Sequence, residues 1–147
     1  MEERKVKNIF LKGAISPSHI AENIAAHQEK VHIGGHSIFL GQVRADVIDS
    51  RKVSAIEYTS YEDMALEKMH EIREQAIKKY DLSCMHVYHS LGNVKAGEIC
   101  LFVFTSSAHR HSAISACSEV VELIKKELPI WGKEVFEDES YKWKENR

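Results

Sequence analysis

The 147-residue chain reads as one α+β domain, a mostly antiparallel sheet with helices packed on it. Three observations carry that prediction. Strand-like runs come in two pairs, 36–43 with 53–61 and 83–91 with 98–105. A helical stripe follows each pair, and the second pair is joined by Gly92-Asn93-Val94-Lys95-Ala96-Gly97, turn chemistry that suits a hairpin. Residues 1–136 form the single domain, and 137–147 form a charged tail.

Each element has a local reason. Residues 6–11 make a short strand, and Ser16-Pro17 places an N-cap before a proline at the first helical position, opening a helix to about Lys30. His32 to Gly35 break the pattern. The run Ser37-Ile38-Phe39-Leu40-Gly41-Gln42-Val43 is strand-like, and it is expected to pair as a hairpin with Val53–Tyr61 across a long mobile loop. In Glu62–Tyr80, Leu66, Met69, Ile72, Ala76 and Tyr80 recur at steps of three and four, the stripe of a surface helix. Ile99 to Phe104 is nearly all apolar, which predicts a central strand.

A last helix is predicted from about Ser107 to Leu128, with Ile114, Cys117, Val121, Ile124 and Leu128 as its core stripe and Pro129 as its stop. Ile130–Phe136 adds an edge strand. The tail from Glu137 carries two aromatics, Tyr141 and Trp143, that dock on the domain or on a partner.

Composition narrows the function. Lys plus Arg less Asp plus Glu is 20 − 22 = −2, so there is no basic excess for nucleic acid. No apolar run approaches a membrane span or a leader peptide. Three cysteines without metal or redox spacing point to a reducing cytoplasm. The nine histidines make no metal set: His86 and His89, three apart on a strand, face opposite sides, and His109 and His111 diverge on a helix. Neither a metal nor a cofactor site is predicted.

Three positions suggest chemistry. At Thr105-Ser106-Ser107-Ala108-His109-Arg110 a buried strand feeds a helix N-terminus, where backbone amides, His109 and Arg110 suit an anion; the plainer alternative is that Ser106 or Ser107 caps the helix and the other two are solvated. Arg44 ends a strand, placed to clamp a phosphate or carboxylate, though a lone surface arginine is usually just solvated. Lys125-Lys126 precede Pro129-Ile130-Trp131, where an indole walls a cation-rich helix end; simple dipole complementarity also explains lysines there. Arg110 and Lys125 lie 15 residues apart, roughly 22 Å along the helix. If both ends serve one site, a second copy must supply one of them, which predicts a homodimer with the site at its interface.

Five segments in order, Phe39-Leu40-Gly41-Gln42-Val43-Arg44, Ile56-Glu57-Tyr58-Thr59-Ser60-Tyr61, His89-Ser90-Leu91-Gly92 through Gly97-Glu98, Ser107-Ala108-His109-Arg110, and Ile124-Lys125 with Pro129-Ile130-Trp131 and Lys133-Glu134, resemble the large, catalytic subunit of molybdopterin synthase over roughly residues 33–136. The resemblance implies an α/β hammerhead-type fold and a homodimer within a heterotetramer, flanked by two small ubiquitin-like sulfur carriers. Each carrier's C-terminal Gly-Gly thiocarboxylate enters the large subunit. Two sulfurs pass to cyclic pyranopterin monophosphate, opening its cyclic phosphate and making the dithiolene of molybdopterin.

By the same resemblance Arg44, His109 and Arg110 bind the pterin and phosphate, the latter two across the dimer interface, while Trp131 lines the pocket and Lys125 is both substrate-binding and catalytic. An ammonium there serves as proton donor, covalent partner or electrostatic clamp, and the sequence leaves these three open. The chain departs from the family twice. Gly132 stands where a second lysine usually follows the tryptophan, and Ser90 where arginine commonly follows the histidine. Lys133 is the expected catalytic replacement, provided a bulge at Gly132 re-aims it, since successive strand residues face opposite sides. Two alternatives remain: a carrier-binding scaffold with weak or no turnover, and an unrelated α+β module for phosphate metabolites.

Overall fold

The structure, a computed structural model, describes residues 6–144. The first five residues, part of the stretch read as lacking a leader, and the last three of the charged tail lie outside the described residues. The elements run β1 (Phe10–Lys12), α1 (Pro17–His27), β2 (Gly35–Gln42), β3 (Val47–Ile48), β4 (Arg51–Ser60), α2 (Glu62–Tyr80), β5 (Cys84–Lys95), β6 (Ile99–Ser107), α3 (Arg110–Glu127), β7 (Ile130–Phe136) and β8 (Tyr141–Trp143). The fold is the expected α+β one. Strand order is β2-β6-β5-β4-β7-β8, antiparallel throughout, with β3 on β4 and only β1 parallel to its partner β5.

Long β5 joins two halves of the sheet. Its residues 84–89 pair with β6, and after Gly92, at φ +82°, residues 92–95 pair with β4. The β5–β6 hairpin and the central position of β6 are as expected. Val103 of β6 faces the main core with Leu101, while Phe102 and Phe104 pack on the other side with Ile15 and Ile20 beneath α1. Both faces of β6 are covered, which is why its sequence is apolar without alternation. α1 starts as predicted, with Ser16 Oγ accepting from the Ser18 amide at 3.1 Å and Pro17 in the first turn, though it ends at His27.

The expected hairpin of residues 36–43 with 53–61 does not form. β2 pairs along its whole length with β6 and lies at one edge, whereas β4 sits between β5 and β7. The polar stretch between them folds locally, because Asp49 and Ser50 both take positive φ (52° and 63°) and turn the chain tightly into the β3–β4 hairpin.

Two expectations about the end of the chain also change. β7 is an inner strand, because the tail turns at Glu137–Ser140 and returns as β8. Ile114 is 56% exposed; Ala113, Ala116 and Val120 take the α3 stripe together with Cys117, Val121 and Ile124. α3 lies on β2 and β6 with α2 alongside it. No helix among the described residues is long and apolar enough to cross a membrane.

Candidate active site

The C-terminal end of α3 opens into a cleft of about 300 Å³, within the range of small-molecule sites. Backbone geometry builds it. Leu128 turns to ψ 134° before Pro129, and the Pro129 carbonyl accepts from the Tyr61 amide at 3.1 Å and from Ser60 Oγ at 2.9 Å. This pins the start of β7, so Lys125 in the last helical turn and Trp131 in the strand line the same cleft. Tyr58 and His89 form its floor with Cys100.

The floor is buried and uncharged. His89 Nδ1 lies 2.8 Å from the Ser90 carbonyl, which only accepts, so that nitrogen carries the proton and Nε2 keeps its lone pair. Burial holds His89 down to about 4 against the opposing pull of the Ser90 bond, and Lys125 and Lys144 add smaller downward pushes. Tyr58 stacks edge-on against His89 at 5.1 Å, and burial followed by the neighbouring Cys100 pushes its hydroxyl well above the usual range. Positive charge is therefore confined to the walls.

Arg44 joins this region. It lines an adjoining hollow with Lys125, Lys144 and Glu134, and its Nη2 lies 3.4 Å from Asp46 Oδ2. Lys133 does not join. β7 keeps unbroken register with β4 at this point, with Gly132 opposite Tyr58 and Lys133 opposite Glu57, so no bulge re-aims the lysine. Lys133 Nζ sits instead 3.8 Å from Glu57 and 4.7 Å from the centre of the Tyr141 ring.

His109 and Arg110 lie at the opposite end of α3, both exposed, beside a shallow hollow with Gly34 and Ile114. The serines do not cap the helix. The N-cap is His109, without a side-chain bond; Ser107 Oγ donates to the His109 carbonyl, and Ser106 Oγ bonds His36 Nδ1 at 2.6 Å. Two glycines let β2 pass under this end, since a Cβ at Gly34 would meet the Ala108 oxygen at 2.1 Å and one at Gly35 the Arg110 Cα at 3.0 Å. With 15 residues of helix between them, roughly 22 Å, Arg110 and Lys125 of one chain do not share a ligand.

The profile of the MoaE protein family matches residues 13–127, which include Arg44, His109, Arg110 and Lys125. The chain belongs to the MoaE protein family. Among relatives named molybdopterin synthase catalytic subunit, that of Pyrococcus abyssi is 37% identical over 105 residues, covering 71% of this chain and 70% of its own. That of Emericella nidulans is 35% identical over 121 residues, covering 82% and 62%, and that of Drosophila grimshawi is 40% identical over 115, covering 77% and 32%. This chain thus spans under two thirds of the fungal relative and about a third of the insect one. Molybdopterin synthase from Staphylococcus aureus shares the fold at a TM-score of 0.80 and 26% identity, covering 97% of this chain and all of its own. A complex of subunits 1 and 2 of molybdopterin-converting factor from Helicobacter pylori also superposes at 0.80, with 19% identity, covering 94% and 90%.

The matched residues 13–127 contain the first four segments singled out above and Ile124-Lys125 of the fifth, and the structure adds residues that sequence reasoning did not. Tyr58 and His89 fell within matching segments but carried no proposed role. Lys144 had no signal at all, because only the return of β8 brings it to the cleft.

Proposed function

We propose that the chain is the catalytic subunit of a molybdopterin synthase. Sulfur passes from a thiocarboxylated, ubiquitin-like carrier to cyclic pyranopterin monophosphate in the cytoplasm, forming the dithiolene. The observation that carries this reading is the convergence of Lys125, Arg44 and Trp131 on one end of α3, over a buried and uncharged floor.

The chemistry follows from that arrangement. Both reactants are anionic, a thiocarboxylate and a cyclic phosphate, and cations on partly enclosed walls stabilise them more than cations in open water. The neutral His89 floor keeps a lone pair on Nε2 and adds no charge of its own. Trp131, 52% exposed, offers an aromatic face at the mouth. His109 and Arg110 enter the reading through a second copy, as the substrate-binding group completing the site across a homodimer interface. The two-subunit assembly of the Helicobacter pylori neighbour supports a carrier partner, giving a heterotetramer of two chains and two carriers.

The test is reconstitution. This protein, thiocarboxylated carrier and cyclic pyranopterin monophosphate are combined, and product is followed as its oxidised fluorescent derivative. Product formation is expected. Carrier binding without product would instead identify a scaffold, and no carrier binding would point to an unrelated phosphate-metabolite module.

A further inference from the structure

The C-terminal hairpin supplies the cleft with a cation that the rest of the fold does not. Lys133 pairs with Trp143 across β7 and β8, and one residue further the Lys144 amide donates to the Gly132 carbonyl at 2.8 Å. Lys144 therefore stands directly opposite Gly132. Residues opposite each other on antiparallel strands share a face, so Lys144 belongs to the face of Gly132, Tyr58 and Glu134, while Lys133 belongs to the other.

A Cβ at position 132 would come 2.9 Å from Ile56 Cγ2 and 3.3 Å from Tyr58 Cε1, so a side chain there would crowd these two β4 side chains. The lysine that could not be accommodated at 132 without repacking is offered from the neighbouring strand. Lys144 is half-buried and lines both the main cleft and the adjoining hollow, in each case together with Lys125.

Its surroundings identify what it is for. Burial first, and then repulsion from Lys125, hold the Lys144 ammonium below the ordinary lysine range; Cys100 and Glu134 pull the other way, and Arg44 adds a smaller repulsion. The main cleft is lined by Lys125, Lys126 and Lys144 and by no carboxylate, Glu134 lining only the adjoining hollow, so positive charge is in excess there and favours an added oxyanion.

We propose that Lys144 is a second substrate-binding cation of the cleft, entering across Gly132 from the C-terminal hairpin and gripping, with Lys125, an oxyanion group of a reactant. The inference rests on the synthase reading only for which reactant that is: the phosphate of the small molecule or the C-terminal carboxyl group of the carrier.

Two measurements test it. In the first, lysines of the intact protein carry ¹³C-dimethyl labels and their resonances are titrated by NMR, alone, with inorganic phosphate, and with a short peptide ending in Gly-Gly. Lys144 is expected to titrate below the ordinary lysine range, to move upward in Lys125→Met, and to move upward on adding one of the two probes, which names the source of the anion. An ordinary titration indifferent to Lys125→Met and to both probes overturns the proposal. In the second, Lys144→Met is expected to lower kcat/KM about 100-fold in the reconstituted reaction, with Lys144→Arg recovering most of it. Wild-type turnover in Lys144→Met likewise overturns it. Wild-type protein that makes no product while Lys144 still responds to a probe contradicts the synthase reading and supports the site.

Discussion

The two ends of α3 are built differently. At the C-terminal end Lys125 overhangs a partly enclosed cleft with a buried floor, lined by residues of β2, β4, β5, β6 and β7. At the N-terminal end His109 and Arg110 stand exposed over a shallow hollow, with no side-chain cap and two glycines beneath. The first has walls, a floor and a mouth. The second has two basic side chains without an enclosure, the form that the proposed homodimer site would complete from a second surface. Charge alone does not distinguish them, since both are basic; enclosure does, because it decides how strongly each cation acts.

Removing a group from the enclosed end should therefore hurt chemistry most. Lys125→Ala is expected to lower kcat/KM by about 1,000-fold, while stability stays within about 0.5 kcal/mol because the side chain is exposed. Turnover by reconstitution and thermal melting check the two halves of that statement. Near-wild-type turnover would remove the asymmetry between the ends.

Gly132→Lys sharpens the same contrast. The close approach to Ile56 and Tyr58 is expected to destabilise the protein by about 1–3 kcal/mol, read as a lower melting temperature. An unchanged melting temperature would mean that β7 shifts freely and that the floor is less rigid than its packing suggests.

The buried floor also predicts a pH dependence. His89 titrates at about 4 in the folded protein against an ordinary 6.5, so between those values the unfolded chain binds the extra proton. The His89 contribution is nearly complete above pH 7 and is lost as pH falls towards 4, by about 2 kcal/mol between pH 7 and 5. His86, also lowered to about 4 by burial and by His27, acts in the same direction. Denaturant titrations at pH 7 and 5 measure the slope, and His89→Gln should flatten part of it.

At the open end the effect is smallest. Arg110→Ala is expected to weaken substrate binding about 10-fold, or about 1.4 kcal/mol, with carrier affinity unchanged. Isothermal titration with each reactant separates the two, and loss of carrier binding instead would assign this end to the protein partner.

What was legible in the sequence follows the same division. The strands and helices were readable because their signals are local: the apolar run of β2, the stripe of α2, and Ser16-Pro17 at the start of α1. Pairing was not. β2 finds its partner in β6, some 60 residues away, and the Asp49-Ser50 turn that frees β4 lacks the glycine that marks such turns. Arg44, Lys125 and Trp131 were recognisable because motif and position agree. Lys144 was not, because a residue's neighbour across a ladder depends on the length of the turn between strands, here Glu137–Ser140. Lys133 shows the converse, a right residue type on the wrong face.

The most direct test is complementation between the two ends. A Lys125→Ala protein and a His109→Ala/Arg110→Ala protein are unfolded together, refolded as a mixture, and assayed at low substrate. If opposite ends of α3 from two copies form each site, half the dimers are hybrids with one intact site of two, and activity returns to about a quarter of wild type. Activity no higher than the average of the two variants refolded separately would contradict a shared site and leave each cleft to a single chain.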